Sequence, residues 1–177
     1  MNHVYLPLIV FVLLVLEGVA LELLPHSLVS GDLLIVPHWV LIYLIFIAIF
    51  YDVKNTSYSV IYAVVFGLLI DSVYVGVLGV YMFSYGISVY IIKRMTRFLQ
   101  ENVFTAMLLG VVGMIIAEFL INITFLVVGI VDFTWKTYFV YRFFPTLFAN
   151  LLFIIILYPM MVRRLVKWKK ERFHRTL

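Results

Sequence analysis

Apolar runs of bilayer-crossing length follow one another along almost the whole chain, interrupted only by short clusters of charge, proline or glycine. Crossing a hydrocarbon core of ~30 Å takes about 20 apolar residues in a helix. Lipid offers the backbone no hydrogen-bond partners, so a spanning segment must be a helix or part of a closed barrel. The runs predict an all-α polytopic membrane protein, a six-transmembrane-helix bundle with helices at about 4–24, 37–51, 58–74, 77–92, 103–131 and 137–162. They leave one transmembrane domain over residues 1–162, a short basic tail over 163–177, and no room for a soluble domain. Only 12% of residues are charged, about half the share usual in soluble domains. The second run is short for a crossing, and the third and fourth are separated only by Val75 and Gly76. That leaves room for one of these segments to be tilted, broken or partly re-entrant.

Basic residues orient the bundle. Lys54, Lys93, Arg94, Arg97, Arg163, Arg164, Lys167, Lys169, Lys170, Arg172 and Arg175 fall on one side, against Lys136 and Arg142 on or toward the other. Positive charge is retained on the cytoplasmic side. The tail and the loops near residues 54 and 95 are therefore expected in the cytoplasm, and an even helix count brings the N-terminus there too. Trp39 and Trp135 fall at expected outer helix ends, and Trp168 lies just beyond the inner end of the last helix, where indole rings favour the interface. The tail interleaves its cations with Leu165, Val166, Trp168 and Phe173. This suits a helix lying along an anionic leaflet, anchored by Arg163, Arg164, Lys167, Lys169 and Lys170.

Several function classes fall away. The net charge of +4 sits at segment ends, where the membrane explains it better than nucleic acid does. Cysteine is absent, which removes disulfides, thiolate metal sites and cysteine nucleophiles. His3, His26, His38 and His174 are far apart, have no carboxylate at ligand spacing, and lie outside the apolar runs' interiors, so no metal or other cofactor is expected. The first run lacks a basic leader and a small-residue cleavage site, and reads as a retained first helix. An enzyme is not expected: Ser72, Ser84 and Ser88 have no His or Lys at membrane depth, and Gly76 and Gly79 suit a tight connection and a helix start better than a phosphate cradle.

Ionisable groups at membrane depth cost several kcal/mol unless they find partners. Here they are Glu17, Asp71, Glu118 and Arg142. Arg142, Thr146 and Asn150 recur every four residues on one face, beside Pro145, which cannot donate a backbone hydrogen bond and tends to kink its helix. Glu118 and Asn122 are stacked in the same way on the fifth helix, next to a small-residue stripe at Gly110, Gly113 and Ala117. Ser59, Ala63, Gly67 and Asp71 repeat the pattern on the third. Asp71 and Arg142 are expected at similar depths and predicted to pair. Three carboxyls against one arginine leave two in excess, so Glu17 or Glu118 could instead face a partner. A polar zipper within the bundle, a proton or substrate pathway, and a partner face all remain open on these residues.

The stretch Phe66, Gly67, Leu68, Leu69, Ile70, Asp71, followed by Leu78, Gly79, Val80 and Tyr81, resembles the central signature of the bacterial rod shape-determining MreD family, particularly members from Gram-positive rods. Pro37, Glu118, Arg142, Pro145 and Asn150 extend the resemblance over the whole chain. It implies a non-enzymatic subunit of the cell-wall elongation machinery, acting with MreC, the actin-like MreB, the glycosyltransferase RodA and a class B penicillin-binding protein. The family is similar in fold to the S components of energy-coupling-factor vitamin transporters, which implies S-component-like packing and supplies the alternative of a small-molecule binding subunit. Those proteins carry small residues at four-residue spacing on the first helix. Here that helix is bulky from Val4 to Leu16. A residual pocket lined by Tyr81, Tyr85, Glu118, Asn122 and Arg142, holding lipid or a partner segment, stays open on this reading.

Overall fold

The computed structural model describes residues 4–23, 34–53, 56–130 and 135–174. Lys54, His3, His26 and Arg175 lie outside the described residues. Among the described residues, six helical rods follow one another: α1 (Tyr5–Leu23), α2 (Trp39–Phe50), α3 (Tyr58–Ile70), α4 (Val80–Met95), α5 (Val103–Val128) and α6 (Phe144–His174). A π-helical turn, Asp71–Val75, extends α3, and a helical turn Trp135–Tyr138 with a second π turn, Phe139–Phe143, leads into α6. Four of the rods, Tyr5–Leu23, Tyr58–Val75, Val103–Val128 and Trp135–Arg172, are long and apolar enough to cross a membrane. With large apolar side chains exposed along all four, this is a polytopic membrane protein.

The short second run has a specific solution. Every residue of α2 from Val40 to Phe50 is buried, because α1, α3, α4, α5 and α6 all pack around it. A helix apolar on every side belongs in such a centre. Twelve residues rise only about 18 Å. The irregular segment Leu34–His38 precedes α2 and supplies the missing reach. Irregular backbone is tolerated at membrane depth only where protein encloses it, and α6 does so here. The N–H of Leu34 donates to the Tyr141 carbonyl at 2.7 Å, that of Val36 to Thr146 Oγ1 at 3.1 Å, and that of His38 to Asn150 Oδ1 at 2.7 Å. Thr146 Oγ1 and Asn150 Nδ2 donate in return to the Leu34 and Val36 carbonyls. Pro37, with no N–H to satisfy, sits between two of these donors.

Pro145 explains part of this clamp. Its missing N–H would have bonded the carbonyl four residues back, on Tyr141, and that carbonyl is the one Leu34 uses. The distortion expected beside Pro145 takes the form of the π turn Phe139–Phe143, which ends two residues before it. Pro159 lies inside α6 without interrupting it, and the helix runs unbroken from the apolar run through the basic tail to His174.

Small residues set the helix spacing. A Cβ on Gly67 would come within 2.7 Å of the Met82 backbone, so α3 and α4 touch main chain to main chain. Ala63 and Ser59 continue that buried face. Gly110 makes room for Ile154 of α6, and Gly113 for Ile45 of α2 and Ile92 of α4. Two glycines in the left-handed conformation, Gly76 (φ 73°) and Gly79 (φ 102°), turn the chain from α3 into α4. The fourth helix thus starts at Val80, three residues later than its apolar pattern suggests. Tyr5 of α1 stacks on Trp168 of α6 at 5.8 Å, which brings the start of the first helix and the basic end of the last to the same end of the bundle.

Candidate functional site

Carboxylates in this bundle do two different jobs. Three of them cap helix N-termini from a distance, where unsatisfied N–H groups and the positive end of the helix dipole favour an anion. Asp71, fully buried, accepts the N–H groups of Gly79 at 2.9 Å, Tyr81 at 2.8 Å and Met82 at 3.1 Å, and so closes the start of α4. Glu17 of α1 accepts the Val40 N–H at 3.1 Å, at the start of α2. Asp52 accepts from the Tyr58 and Ser59 N–H groups and from the Ser59 hydroxyl, at the start of α3. Burial outweighs these bonds and raises the pKa of Asp52, which lies in the loop between α2 and α3.

Glu118 does the other job. It projects from the middle of α5, almost fully buried. Oε1 lies 2.7 Å from His38 Nε2, and Oε2 accepts from Arg142 Nε at 3.2 Å. The Tyr138 hydroxyl donates to the Glu118 carbonyl at 3.1 Å and reaches Oε2 at 3.3 Å. On the far side of the imidazole, Nδ1 lies 2.7 Å from the Tyr85 hydroxyl, and the His38 ring packs edge-on to Tyr85 at 5.9 Å. With Nε2 donating to Glu118 and Nδ1 accepting from Tyr85, both ring nitrogens are satisfied within the protein.

The predicted pairing of Asp71 with Arg142 is therefore wrong. Asp71 is turned onto the backbone of α4, and the π turn at Phe139–Phe143 presents Arg142 to Glu118 instead. Glu17 and Glu118 are not a partner face either, since both are buried and bonded inside the bundle. Of the pocket lining suggested by Tyr81, Tyr85, Glu118, Asn122 and Arg142, the space between Tyr85 and Glu118 is taken by the His38 ring. Asn122 is buried one turn along α5 from Glu118. Thr146 and Asn150 grip the segment before α2 rather than a neighbouring helix.

Sequence reasoning missed His38, which stands 80 residues from Glu118 and 47 from Tyr85. The available signal was the surplus of carboxyls over cations, which called for another donor at depth. Among the described residues, no three His, Asp or Glu side chains converge in a way that could hold a metal ion.

A polytopic helix bundle closed around a charge cluster, with three further buried carboxyls, Glu17, Asp52 and Asp71, used as helix caps, defines a structural class of membrane protein. The sequence profile of the family described as rod shape-determining protein MreD matches residues 2–167. The chain belongs to that family, and is a rod shape-determining membrane protein by membership. It is 27% identical over 157 residues to the rod shape-determining protein MreD of Bacillus subtilis (strain 168), covering 89% of this chain and 90% of that one. No solved structure gives a significant match.

Proposed function

We propose that this chain is a non-enzymatic scaffold of the cell-wall elongation complex, passing through the cytoplasmic membrane several times with both termini in the cytoplasm. It binds an MreC-like protein, works alongside RodA, a class B penicillin-binding protein and MreB, and helps control cell shape by positioning peptidoglycan synthesis. The observation that carries this reading is the inward use of the membrane-depth ionisable groups. Glu118, Arg142 and His38 hold one another, while Asp71 and Glu17 hold backbone N–H groups. A transport or hydrolytic site would present such groups to a substrate. Membership of the MreD family favours the same conclusion. The stacking of Tyr5 on Trp168, beside the basic stretch of α6, favours a common side for both ends.

The test is to solubilise the tagged full-length chain from its own membranes and identify what co-purifies. Recovery of a single-span MreC-like protein with wall synthases is the expected result. Paired ATPases, or a tightly bound vitamin with no synthases, would contradict it. Because the chain has no cysteine, Lys170→Cys gives a clean topology probe. The thiol should react with an impermeant reagent only after the cells are opened.

A further inference from the structure

The end of the bundle opposite His38 holds a cavity of about 310 Å³. Its charged lining comes from four places: Asp52 after α2, Lys93 and Arg97 at the end of α4, Glu101 just before α5, and Lys169 of α6. Lys169 pairs with Glu101. Lys93 donates to the Thr56 carbonyl and the Ser57 hydroxyl, both neutral, and feels the charge of Asp52 through space. Arg97 is close enough to Lys93 for the two cations to repel, and among the described residues it has no carboxylate partner. Three cations against two carboxylates leave one positive charge in excess, and Arg97 carries it. The α5 N-terminus adds to the imbalance: Asn102 caps the Thr105 N–H, and Thr105 itself lines the cavity.

A cation would meet a positive excess and two carboxylates already engaged. Asp52 is occupied by three donors from Tyr58 and Ser59, and Glu101 by Lys169. A monoanion with several acceptor oxygens fits the excess charge, and the guanidinium fork of Arg97 suits phosphate oxygens. Trp168 adjoins Lys169 in sequence and stacks on Tyr5, placing the cavity near the level where indole rings meet headgroups. We propose that this cavity binds a phosphate group, carried on the headgroup of an anionic phospholipid. Basic pockets between membrane helices hold such headgroups by the same chemistry.

The experiment uses the full-length chain purified in detergent and exposed to phosphatidylglycerol, to phosphatidylcholine or to inorganic phosphate. Retained lipid is counted by native mass spectrometry, and melting is followed in parallel. Phosphatidylglycerol should be retained and should raise the melting temperature, and phosphatidylcholine should do neither. Arg97→Gln should weaken retention about fivefold. Arg94→Gln makes the same charge change one residue outside the cavity, and should leave retention unchanged. If inorganic phosphate alone stabilises the wild type as well as the lipid does, and Arg97→Gln abolishes this, the phosphate site stands with a soluble source. Equal retention in wild type and Arg97→Gln would overturn the proposal and leave the cavity to an acidic polypeptide segment. Equal loss in Arg97→Gln and Arg94→Gln would overturn it in favour of diffuse surface charge.

Discussion

The two ends of the bundle handle charge in opposite ways. Around His38, the buried Glu118 carboxylate and His38 imidazole meet the part-buried guanidinium of Arg142, and both carboxylate oxygens and both ring nitrogens face another protein group. Around Lys93 and Lys169, cations outnumber carboxylates, and Glu101 and Arg97 stand exposed. Buried charge tolerates no vacancy, because removing one partner strands the other in a medium that cannot solvate it. Charge at the interface is solvated by water and headgroups, so an imbalance there costs little and leaves attraction for an external anion. The first end is built for integrity, the second for contact with what lies outside.

The comparison implies an order of mutational effects, read as thermal unfolding of the purified protein. Glu118→Gln should be the most damaging, by about 3–5 kcal/mol, since it strands Arg142 and loosens His38. Lys169→Gln, which breaks the ion pair at the other end, should stay within about 1 kcal/mol. Equal costs for the two would break the distinction. Asp71→Ala should follow at about 2–3 kcal/mol, because three N–H groups at the start of α4 lose their acceptor; Asp71→Asn should recover part of this, since the amide oxygen still accepts. Asn150→Ala should cost about 2 kcal/mol and speed amide exchange at His38, whose N–H loses its acceptor. The smallest expected quantity is the coupling between Asp71→Ala and Arg142→Ala. As the two residues do not touch, their effects should add to within about 0.5 kcal/mol.

Much of the fold was legible in the sequence, because lipid leaves helices few alternatives: each of the six apolar runs matches a rod among the described residues, though the last rod starts later, at Phe144, and runs on through the basic tail to His174. The small faces were legible as well. The four-residue spacing of Ser59, Ala63, Gly67 and Asp71 anticipated a tight contact, and Gly67 makes it against the Met82 backbone. Partner choice was not legible. Helix periodicity says which residues share a face and nothing about which other face they meet. Asp71 and Arg142 were matched by charge and depth, yet a carboxylate beside a helix start has an equally good acceptor role, and Asp71 takes it. His38 was hidden for a different reason. Its position beside Pro37, at the edge of an apolar run, reads as a boundary, and only the clamp from Tyr141, Thr146 and Asn150 carries that boundary into the interior.

The Glu118 and Arg142 pair offers the most direct test of the claim that membrane-depth charge here serves the bundle itself. A double-mutant cycle with Glu118→Gln, Arg142→Gln and both together, measured by unfolding in detergent, isolates their interaction. The account expects the double variant to be more stable than the sum of the single losses allows, with a coupling of at least about 1.5 kcal/mol. Losses that simply add, to within about 0.5 kcal/mol, would show that the two side chains do not depend on each other and would contradict it.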